Sequence, residues 1–460
     1  MNVVARPKGE MLVPCGGNME FPDAARVDGW LEDVTYPPFA RVSYHPETPE
    51  LDDVEAATHE ALATLDLDAL DGKSVAIGVG SRGIAEIDTV AATTVEVLQD
   101  AGASPYAIPA MGSHGGATAA GQREVLAQLD ITEDRLGCPI DARMDTTVIG
   151  EADVGGKSID VNFAKSALEA DAVLPINRVK VHTLFTGPNE SGVCKMLVVG
   201  MGKQPGARTL HRNAFVHDFQ AMLEASMDVI RREVPVVGGV AIVENFVDEP
   251  AHVKALPVET MVTDEQKLLE RSREYLATLP YDEVDILVVD EIGKNISGTG
   301  MDTNVVGRRD IYSELAPTVP AIHRVYVRGL TEQTHGNANG MGFADAISAA
   351  VAEEIDFTST YANAITSGTL SNVRMPIVMP SDEQALPALV GTLGGPAPDA
   401  LRVAWIENTG ELGELYATPA QLAETDDQAV EVLDWHALSF EDGTATFSPS
   451  SPPSGSARED

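Results

Sequence analysis

The sequence predicts an α/β protein in which two α/β domains, with mainly parallel sheets, flank a cleft. At 460 residues the chain exceeds the usual size of one hydrophobic core, which favours two domains. Short apolar runs alternate with segments whose apolar residues recur at helical spacing. Several of these runs end in polar, glycine-rich turns, and open parallel sheets bind their ligands beyond such strand ends.

A charged segment at 263–279 is predicted to connect the two domains. It pairs acids with bases at helical spacing, which stabilises an exposed helix. We therefore place one domain at residues 1–278 and a second, C-terminal α/β domain at residues 279–445. The tail at 446–460 is rich in Pro and Ser, a composition typical of disorder.

The first domain is predicted to alternate strands with helices. Each strand is an apolar run bounded by turn residues, and each helix repeats its apolar residues every three to four positions. The predicted strands lie at 11–15, 39–44, 74–79, 104–111, 171–182 and 236–246, and the predicted helices at 53–65, from about 86, from about 117 and at 215–232. Residues 139–163 are expected to form a small β excursion that turns at the GGK sequence, 155–157.

The second domain is predicted to repeat this alternation. A strand at 284–289 leads into a polar, glycine-rich loop that carries Glu291 and Lys294, and a strand at 323–330 leads into another. Further α and β segments complete the second sheet, at 359–370, 373–379, 383–394 and 401–406.

The charge of the chain excludes several classes of partner. A formal net charge of −40 disfavours nucleic acid and anionic membranes. A surface this acidic stays hydrated in concentrated salt, so we expect the cytoplasm of a halophile. A disordered acidic chain is excluded because 44% of the residues are hydrophobic and follow strand and helix patterns. The expected partner is a small molecule, and the oligomeric state is left open.

The spacing of the cysteines and the shortness of the apolar runs also indicate the cytoplasm. Cys15, Cys138 and Cys194 lack CxxC spacing, so a disulfide framework or a four-cysteine metal site is not supported. The N-terminus has no apolar segment of signal-peptide length, and no apolar run reaches about 18 residues. A reducing, cytoplasmic location is expected.

Two polar turns follow neighbouring predicted strands. Ser81 and Arg82 follow the strand at 74–79, and His114 lies between glycines beyond the strand at 104–111. If these strands belong to an open parallel sheet, the turns share its carboxyl edge. The glycine spacing matches neither the dinucleotide fingerprint nor the phosphate-binding P-loop.

The window 178–212 concentrates positive charge in an otherwise acidic chain. It holds six of the basic residues, with Glu190 as its one acid. Its glycines let backbone amides approach a ligand, and PGAR at 205–208 predicts a turn that opens a helix toward phosphate. We interpret the window as a site for a nucleotide-like anion, and the alternative is an unusually basic loop.

Three residues of this window could share chemistry: His182 at a strand end, Lys195 on a predicted helix, and His211 sixteen residues later. Histidine moves protons or binds metals near neutral pH, and lysine bonds covalently to carbonyl groups. Apolar neighbours of Lys195 would lower its pKa if they buried it, but an ordinary amphipathic lysine fits equally. His211 also fits a helix-end or surface residue.

These residues and their spacing resemble the lactate racemase family, the nickel-pincer nucleotide enzymes, over most of the chain outside the tail. The family has an arginine after an early strand, matched by Arg82 in GSRG, and a histidine in the next loop, matched by His114 in SHGG. It then has a second histidine, a lysine and, sixteen residues later, a third histidine. His182, Lys195 and His211 fill these positions.

The resemblance implies a racemase or epimerase of a 2-hydroxy acid with a nickel-pincer nucleotide as cofactor, bound by residues 1–278. It implies that His114 and His182 are catalytic, that Lys195 tethers the cofactor and that His211 binds nickel. It further implies substrate contacts for Arg82, Lys294 and Glu291. We also predict cofactor contacts for Ser81, in the turn after the strand at 74–79, and for Arg208, in the PGAR turn.

One feature departs from the family. Its racemases usually have a GFSGG-type turn between the second histidine and the lysine, whereas this chain has the longer FTGPNESGVC at 185–194. Two alternatives therefore remain. One is the same scaffold acting on a larger hydroxy or sugar acid, and the other is a non-catalytic nucleotide-binding protein.

Overall fold

A computed structural model describes residues 20–81, 83–183, 185–214, 217–309, 320–425 and 427–453, without the side chains of residues 211, 214 and 366. The strand predicted at 11–15, Cys15 and Arg82 lie outside these ranges. The described strands are β1 (Phe39–Tyr44), β2 (Ser74–Val79), β3 (Ser104–Pro109), β4 (Thr146–Val154), β5 (Lys157–Ala164), β6 (Ala172–Arg178), β7 (Gly238–Glu244), β8 (Pro250–Pro257), β9 (Glu283–Ile292), β10 (Ala321–Leu330), β11 (Ala346–Ser348), β12 (Ile377–Met379), β13 (Val403–Asn408), β14 (Glu411–Ala417), β15 (Val430–Glu441) and β16 (Thr444–Pro449).

The helices mostly occupy the segments between the strands. They are α1 (Ala24–Asp28), α2 (Val54–Leu62), α3 (Ile87–Asp100), α4 (Ala119–Gln128), α5 (Glu133–Leu136), α6 (Lys165–Leu168), α7 (Val193–Lys195), α8 (Lys203–Ala214), α9 (Phe219–Glu233), α10 (Met261–Glu274), α11 (Ala349–Glu354), α12 (Phe357–Ser367), α13 (Asp382–Thr392) and α14 (Pro419–Leu422). Asp53 and Asp218 cap α2 and α9, each accepting a backbone N–H at 2.8 Å. No helix among the described residues is long and apolar enough to cross a bilayer.

The first sheet has five strands in the order β3-β2-β6-β7-β8, parallel except for β8. Both of its faces are covered. In β2, Val75, Ile77 and Val79 pack into one buried cluster together with residues of α2 and α3, while Ala76 faces a second cluster that contains residues of α9. Burial on both faces explains why these strands are continuous apolar runs in the sequence.

The second sheet has nine strands in the order β12-β11-β10-β9-β13-β14-β1-β15-β16. The strands from β12 to β13 are parallel, and those from β14 to β16 are antiparallel. The α/β class is therefore confirmed, with a second sheet that is mixed. Strand β1 comes from the start of the chain but hydrogen-bonds to β14 and β15 in this sheet. The division at residue 278 stays a prediction.

Several predicted segments are confirmed. Most of the differences between prediction and structure concern the residues at which a segment begins or ends. The strand at 74–79 is β2, and the β excursion at 139–163 is the hairpin of β4 and β5. The strand predicted at 171–182 ends earlier, at Arg178, so His182 lies in a loop rather than on the strand. The tail prediction is wrong for residues 446–449, which belong to β16 because an Asp442-Gly443 turn folds them back onto β15.

Candidate functional site

The ends of β2 and β6 form the point around which the first sheet reverses its strand order. From β2 the chain moves to β3 on one side and later to β6 on the other. Loops at such a point separate and leave a crevice, which is the usual ligand site of open α/β sheets. Gly80 follows β2 here, and a Cβ at this position would lie 2.4 Å from Asn177 Oδ1 at the end of β6. Glycine therefore lets the two loops meet.

Ser81 and His114 are joined across this edge. Ser81 Oγ and His114 Nδ1 lie 2.9 Å apart, and both side chains are half-buried. The bond occupies Nδ1 and leaves Nε2 as the other nitrogen for proton transfer. The predicted adjacency of these two turns is therefore observed. Arg82, the next residue after Ser81, lies outside the described residues.

Behind His114, two fully buried polar side chains support its loop. Gln122 on α4 donates from Nε2 to Gly112 O at 3.0 Å and to His114 O at 3.3 Å. Its Oε1 accepts from Lys203 Nζ at 3.1 Å, and the same ammonium donates to Pro109 O at 2.7 Å. Lys203 is 0% exposed, and burial lowers its pKa to about 8.

On the other side of the crevice, His182 and Lys195 share an aromatic neighbour. The ring of His182 stacks on Phe185 at 4.9 Å, and Lys195 Nζ lies 5.5 Å from the centre of the Phe185 ring. The Phe185 N–H donates to His182 Nδ1 at 3.1 Å. Because that bond uses the Nδ1 lone pair, the proton of a neutral His182 is on Nε2.

Lys195 ends α7 and directly precedes a π-helical turn, Met196–Gly200. Such turns are rare and frequently occur at functional sites. The turn also approaches the His114 loop, since Gly112 N donates to Gly200 O at 3.3 Å. The segment that carries Lys195 is thereby connected to the loop at the end of β3.

The longer turn that distinguishes this chain forms a buried polar network. Glu190 is 1% exposed, and its carboxylate accepts from the His182 backbone N–H at 2.6 Å and from Arg273 at 2.8 Å. Glu190 thus fixes the backbone of His182 to α10. The sequence carried a signal for it, because Glu190 is the one acid in the basic window.

Glu265 on α10 anchors the start of α7. Its carboxyl group is 0% exposed and accepts from Cys194 N at 2.9 Å and from Asn189 Nδ2 at 3.0 Å. Gly192 makes room for it, because a Cβ there would lie 2.3 Å from the carboxyl carbon. Burial raises the pKa of Glu265, and these donors act against that shift. Burial also raises the pKa of the Cys194 thiol, which makes it unreactive.

Replacing Glu265 with alanine is expected to lower the free energy of unfolding by about 1–3 kcal/mol, because buried N–H groups lose their acceptor. The midpoint of thermal unfolding, followed by circular dichroism, measures this change. Glu270→Ala is the matched control, since Glu270 is exposed on the same helix. Equal midpoints for the two variants would contradict the anchoring role.

Arg178, at the end of β6, is part of the frame of the site. Its guanidinium donates to the buried carboxylate of Glu244 on β7. Glu244 also accepts from Ala85 N at 2.8 Å, in the loop after β2. The pKa of Glu244 is raised by burial, against the opposing effect of Arg178. The Arg178–Glu244 pair holds the loop after β2 against β6. Arg178, one of the six basic residues in the window 178–212, therefore has a structural role.

A cavity of about 70 Å³ separates the end of β6 from the loops of the second sheet. Its walls include Arg178 and Lys180 from the first sheet's edge and Ile296, Asp302 and Thr409 from the second. Close beside it, Thr303 Oγ1 donates to Thr183 O at 2.9 Å, directly after His182. Residues from the edges of the two sheets therefore contact each other beside this cavity, and the cleft between two domains stays a prediction.

The substrate residues predicted in the second domain lie at the end of β9 and in the following loop. Lys294 donates from its backbone N–H to Thr334 Oγ1 at 3.2 Å and from its ammonium to Gly298 O. Burial and the neighbouring acids Glu407 and Asp290 raise the pKa of Glu291. These hydrogen bonds of Lys294 are with loops of the second sheet. The substrate role of both residues stays a prediction.

Helix α8 carries the two remaining predicted residues. Arg208 is exposed, and His211 lies one turn further along the same helix. The structure does not describe the side chain of His211, so the role of this residue as a nickel ligand stays a prediction. Among described side chains, Glu55, His59 and Glu96 on α2 and α3 form a group of metal-ligand type. Glu55 and Glu96 are exposed, and such groups are common on acidic surfaces without a metal.

No protein-family model matches the chain, and no curated protein matches it. Two solved structures share part of its fold. A protein from Thermotoga maritima aligns with a TM-score of 0.47 and 15% identity over 62% of this chain and 72% of that chain. The lactate racemase apoprotein from Thermoanaerobacterium thermosaccharolyticum aligns with a TM-score of 0.44 and 15% identity over 63% of this chain and 73% of that chain. The second belongs to the family that the sequence motifs resemble.

Proposed function

We propose that the chain is a racemase or epimerase of a 2-hydroxy acid that uses a lysine-tethered nickel-pincer nucleotide. One observation carries the proposal: His114 and His182 lie beyond the ends of β3 and β6, on opposite sides of β2. Two strand spacings separate β3 from β6, about 10 Å. A small acid held between them would present opposite faces to the two imidazoles.

The chain's own groups fit such a cofactor. The half-buried Lys195 has a primary amine, which can bond covalently to a carbonyl-type group. Its position is set by Phe185 and by the Glu265 anchor. His211, on α8, offers an imidazole, a ligand that suits nickel. When bound, the cofactor supplies the acceptor for the substrate's α-hydrogen, which leaves as hydride.

The contacts at the two histidines favour different neutral tautomers as the starting state. Ser81 can accept the Nδ1–H of His114, which leaves Nε2 of that ring as the base for the substrate hydroxyl. His182 starts with its proton on Nε2 and donates a hydrogen bond to the substrate oxygen. To give this proton to the oxygen without becoming an imidazolate, His182 must gain a proton on Nδ1, which requires the bond from Phe185 N–H to open. In the opposite direction the roles exchange, and His182 takes the hydroxyl proton on Nε2 while Nδ1 carries the other proton, so the same bond is again open.

Binding of the substrate carboxylate is assigned to cations at the cleft. Arg82 and Lys294 are proposed for this contact, since they follow β2 and β9 in the sequence and a cation binds a carboxylate by charge-assisted hydrogen bonds. Glu291, three residues before Lys294 in the sequence, would orient the substrate hydroxyl. Ser81 is proposed to act mainly through His114, and Arg208 to bind the cofactor's phosphate.

The test is a racemisation assay on protein produced together with the enzymes that synthesise the cofactor. Each enantiomer of lactate, malate and sugar acids is incubated separately, and chiral chromatography follows the appearance of the opposite one. We expect interconversion of at least one acid, accompanied by nickel and an added mass on the protein. A bare polypeptide mass without nickel would refute the cofactor-dependent proposal and favour the non-catalytic alternative.

A further inference from the structure

Lys203 is a buried cation for which the proposed reaction has no use. It is 0% exposed, and its ammonium forms hydrogen bonds with Pro109 O and Gln122 Oε1 rather than an ion pair with a described carboxylate. Burying a lysine without a paired carboxylate destabilises the fold, which is why burial lowers its pKa to about 8. The negative charge of Asp141 raises the pKa of Lys203, but Asp141 itself forms an ion pair with Arg143.

The backbone at Lys203 is also unusual. Its φ of 51° lies in the left-handed region, which non-glycine residues seldom adopt. Residues held in such conformations concentrate at functional sites. From this position the side chain reaches Pro109 O at the end of β3 and Gln122 Oε1 on α4.

The contacts of Lys203 lead directly to His114. Because its ammonium can only donate, Gln122 must turn Oε1 toward it. The Gln122 amide nitrogen then faces Gly112 O and His114 O and donates to both. A side chain that could not donate to Oε1 would remove the reason for this orientation, and the two carbonyls of the loop would lose their donor.

We propose that Lys203 is a positioning residue for His114, acting through the amide of Gln122. The inference rests on the proposed function in that His114 is the proton-transferring group, but the link itself is a property of the folded chain. It predicts that changes at Lys203 or Gln122 alter the environment of the His114 ring and of its bond to Ser81.

Two variants test the link. Lys203→Met keeps the length of the side chain and removes the donor, and it also removes the buried charge. Gln122→Glu keeps an acceptor for Lys203 but removes the donors to Gly112 O and His114 O. We expect each to lower kcat by between about 10- and 100-fold, as small misplacements of catalytic groups do, with KM within about twofold of wild type. Gln128→Glu, at an exposed position of the same helix, is the matched control.

A spectroscopic readout separates this proposal from the proposed function. Each of the ten histidines gives a ring signal in a carbon–proton NMR spectrum, and His114→Ala identifies that of His114. We expect the His114 signal to move in Lys203→Met and in Gln122→Glu, and to stay in place in Gln128→Glu, even if the wild type racemises nothing. If either variant folds with its His114 signal unchanged, the inference is overturned. Should Lys203→Met not fold, Gln122→Glu decides alone.

Discussion

Alanine at His114 or at His182 is expected to lower kcat/KM for racemisation by about 10²–10⁴-fold, the usual contribution of a positioned acid or base. The loss must be the same in both directions, because two enantiomers have equal free energy and the equilibrium constant is one. Each histidine is required in each direction, since one takes the hydroxyl proton while the other donates to the carbonyl oxygen. Initial rates from each pure enantiomer measure both directions.

The control for this experiment is His323→Ala. His323 is bonded to Glu283 at 3.0 Å near the start of β9 and β10, the opposite end of these strands from Glu291 and Lys294. Its replacement should leave both rates within about twofold of wild type, as for a surface substitution. A His182→Ala variant that retained the wild-type rate from one enantiomer would contradict the two-histidine mechanism.

The edge of the first sheet could be predicted because it depends on local patterns. An apolar run followed by glycines and polar residues marks the end of a buried parallel strand, so Ser81 and His114 were expected on one edge. The structure joins them at 2.9 Å. The order of the strands could not be predicted from such local patterns, because it depends on which buried faces pack together.

The supporting residues were harder to predict because their partners are distant in sequence. Lys203 contacts Pro109 and Gln122 across more than 80 residues, and Glu265 reaches Cys194 and Asn189 across more than 70. Nothing in the GMGKQ context of Lys203 distinguishes a buried lysine from an exposed one. The FTGPNESGVC turn differs in sequence from the GFSGG-type turn of the family that the motifs resemble, but only the structure shows that it anchors His182 and α7.

A missed local signal explains the error at the C-terminus. Asp442-Gly443 is among the strongest two-residue hairpin signals, and both residues have positive φ here. The strands on either side, β15 and β16, form the outer edge of the second sheet. Composition alone assigned residues from 446 onward to a disordered tail, although the turn before them predicts continued pairing.

Lys195→Arg is expected to abolish the covalent adduct and all racemisation. Arginine keeps a cation that can lie against the Phe185 ring, so the fold should be preserved. Its guanidinium stays protonated at neutral pH and cannot act as the nucleophile that a lysine amine provides. Intact-mass spectrometry measures the adduct, and nickel analysis of the same sample measures the metal, on protein produced with the cofactor-synthesising enzymes.

Two further variants separate tethering from metal binding. Lys267→Arg changes an exposed lysine of α10 that is paired with Asp264, so its adduct, nickel content and rate should equal those of wild type. His211→Ala should keep the added mass but lose nickel, because it removes a proposed metal ligand and leaves the Lys195 amine in place. An adduct that persists in Lys195→Arg would place the tether on another residue and remove the main chemical argument for the basic window as the cofactor site.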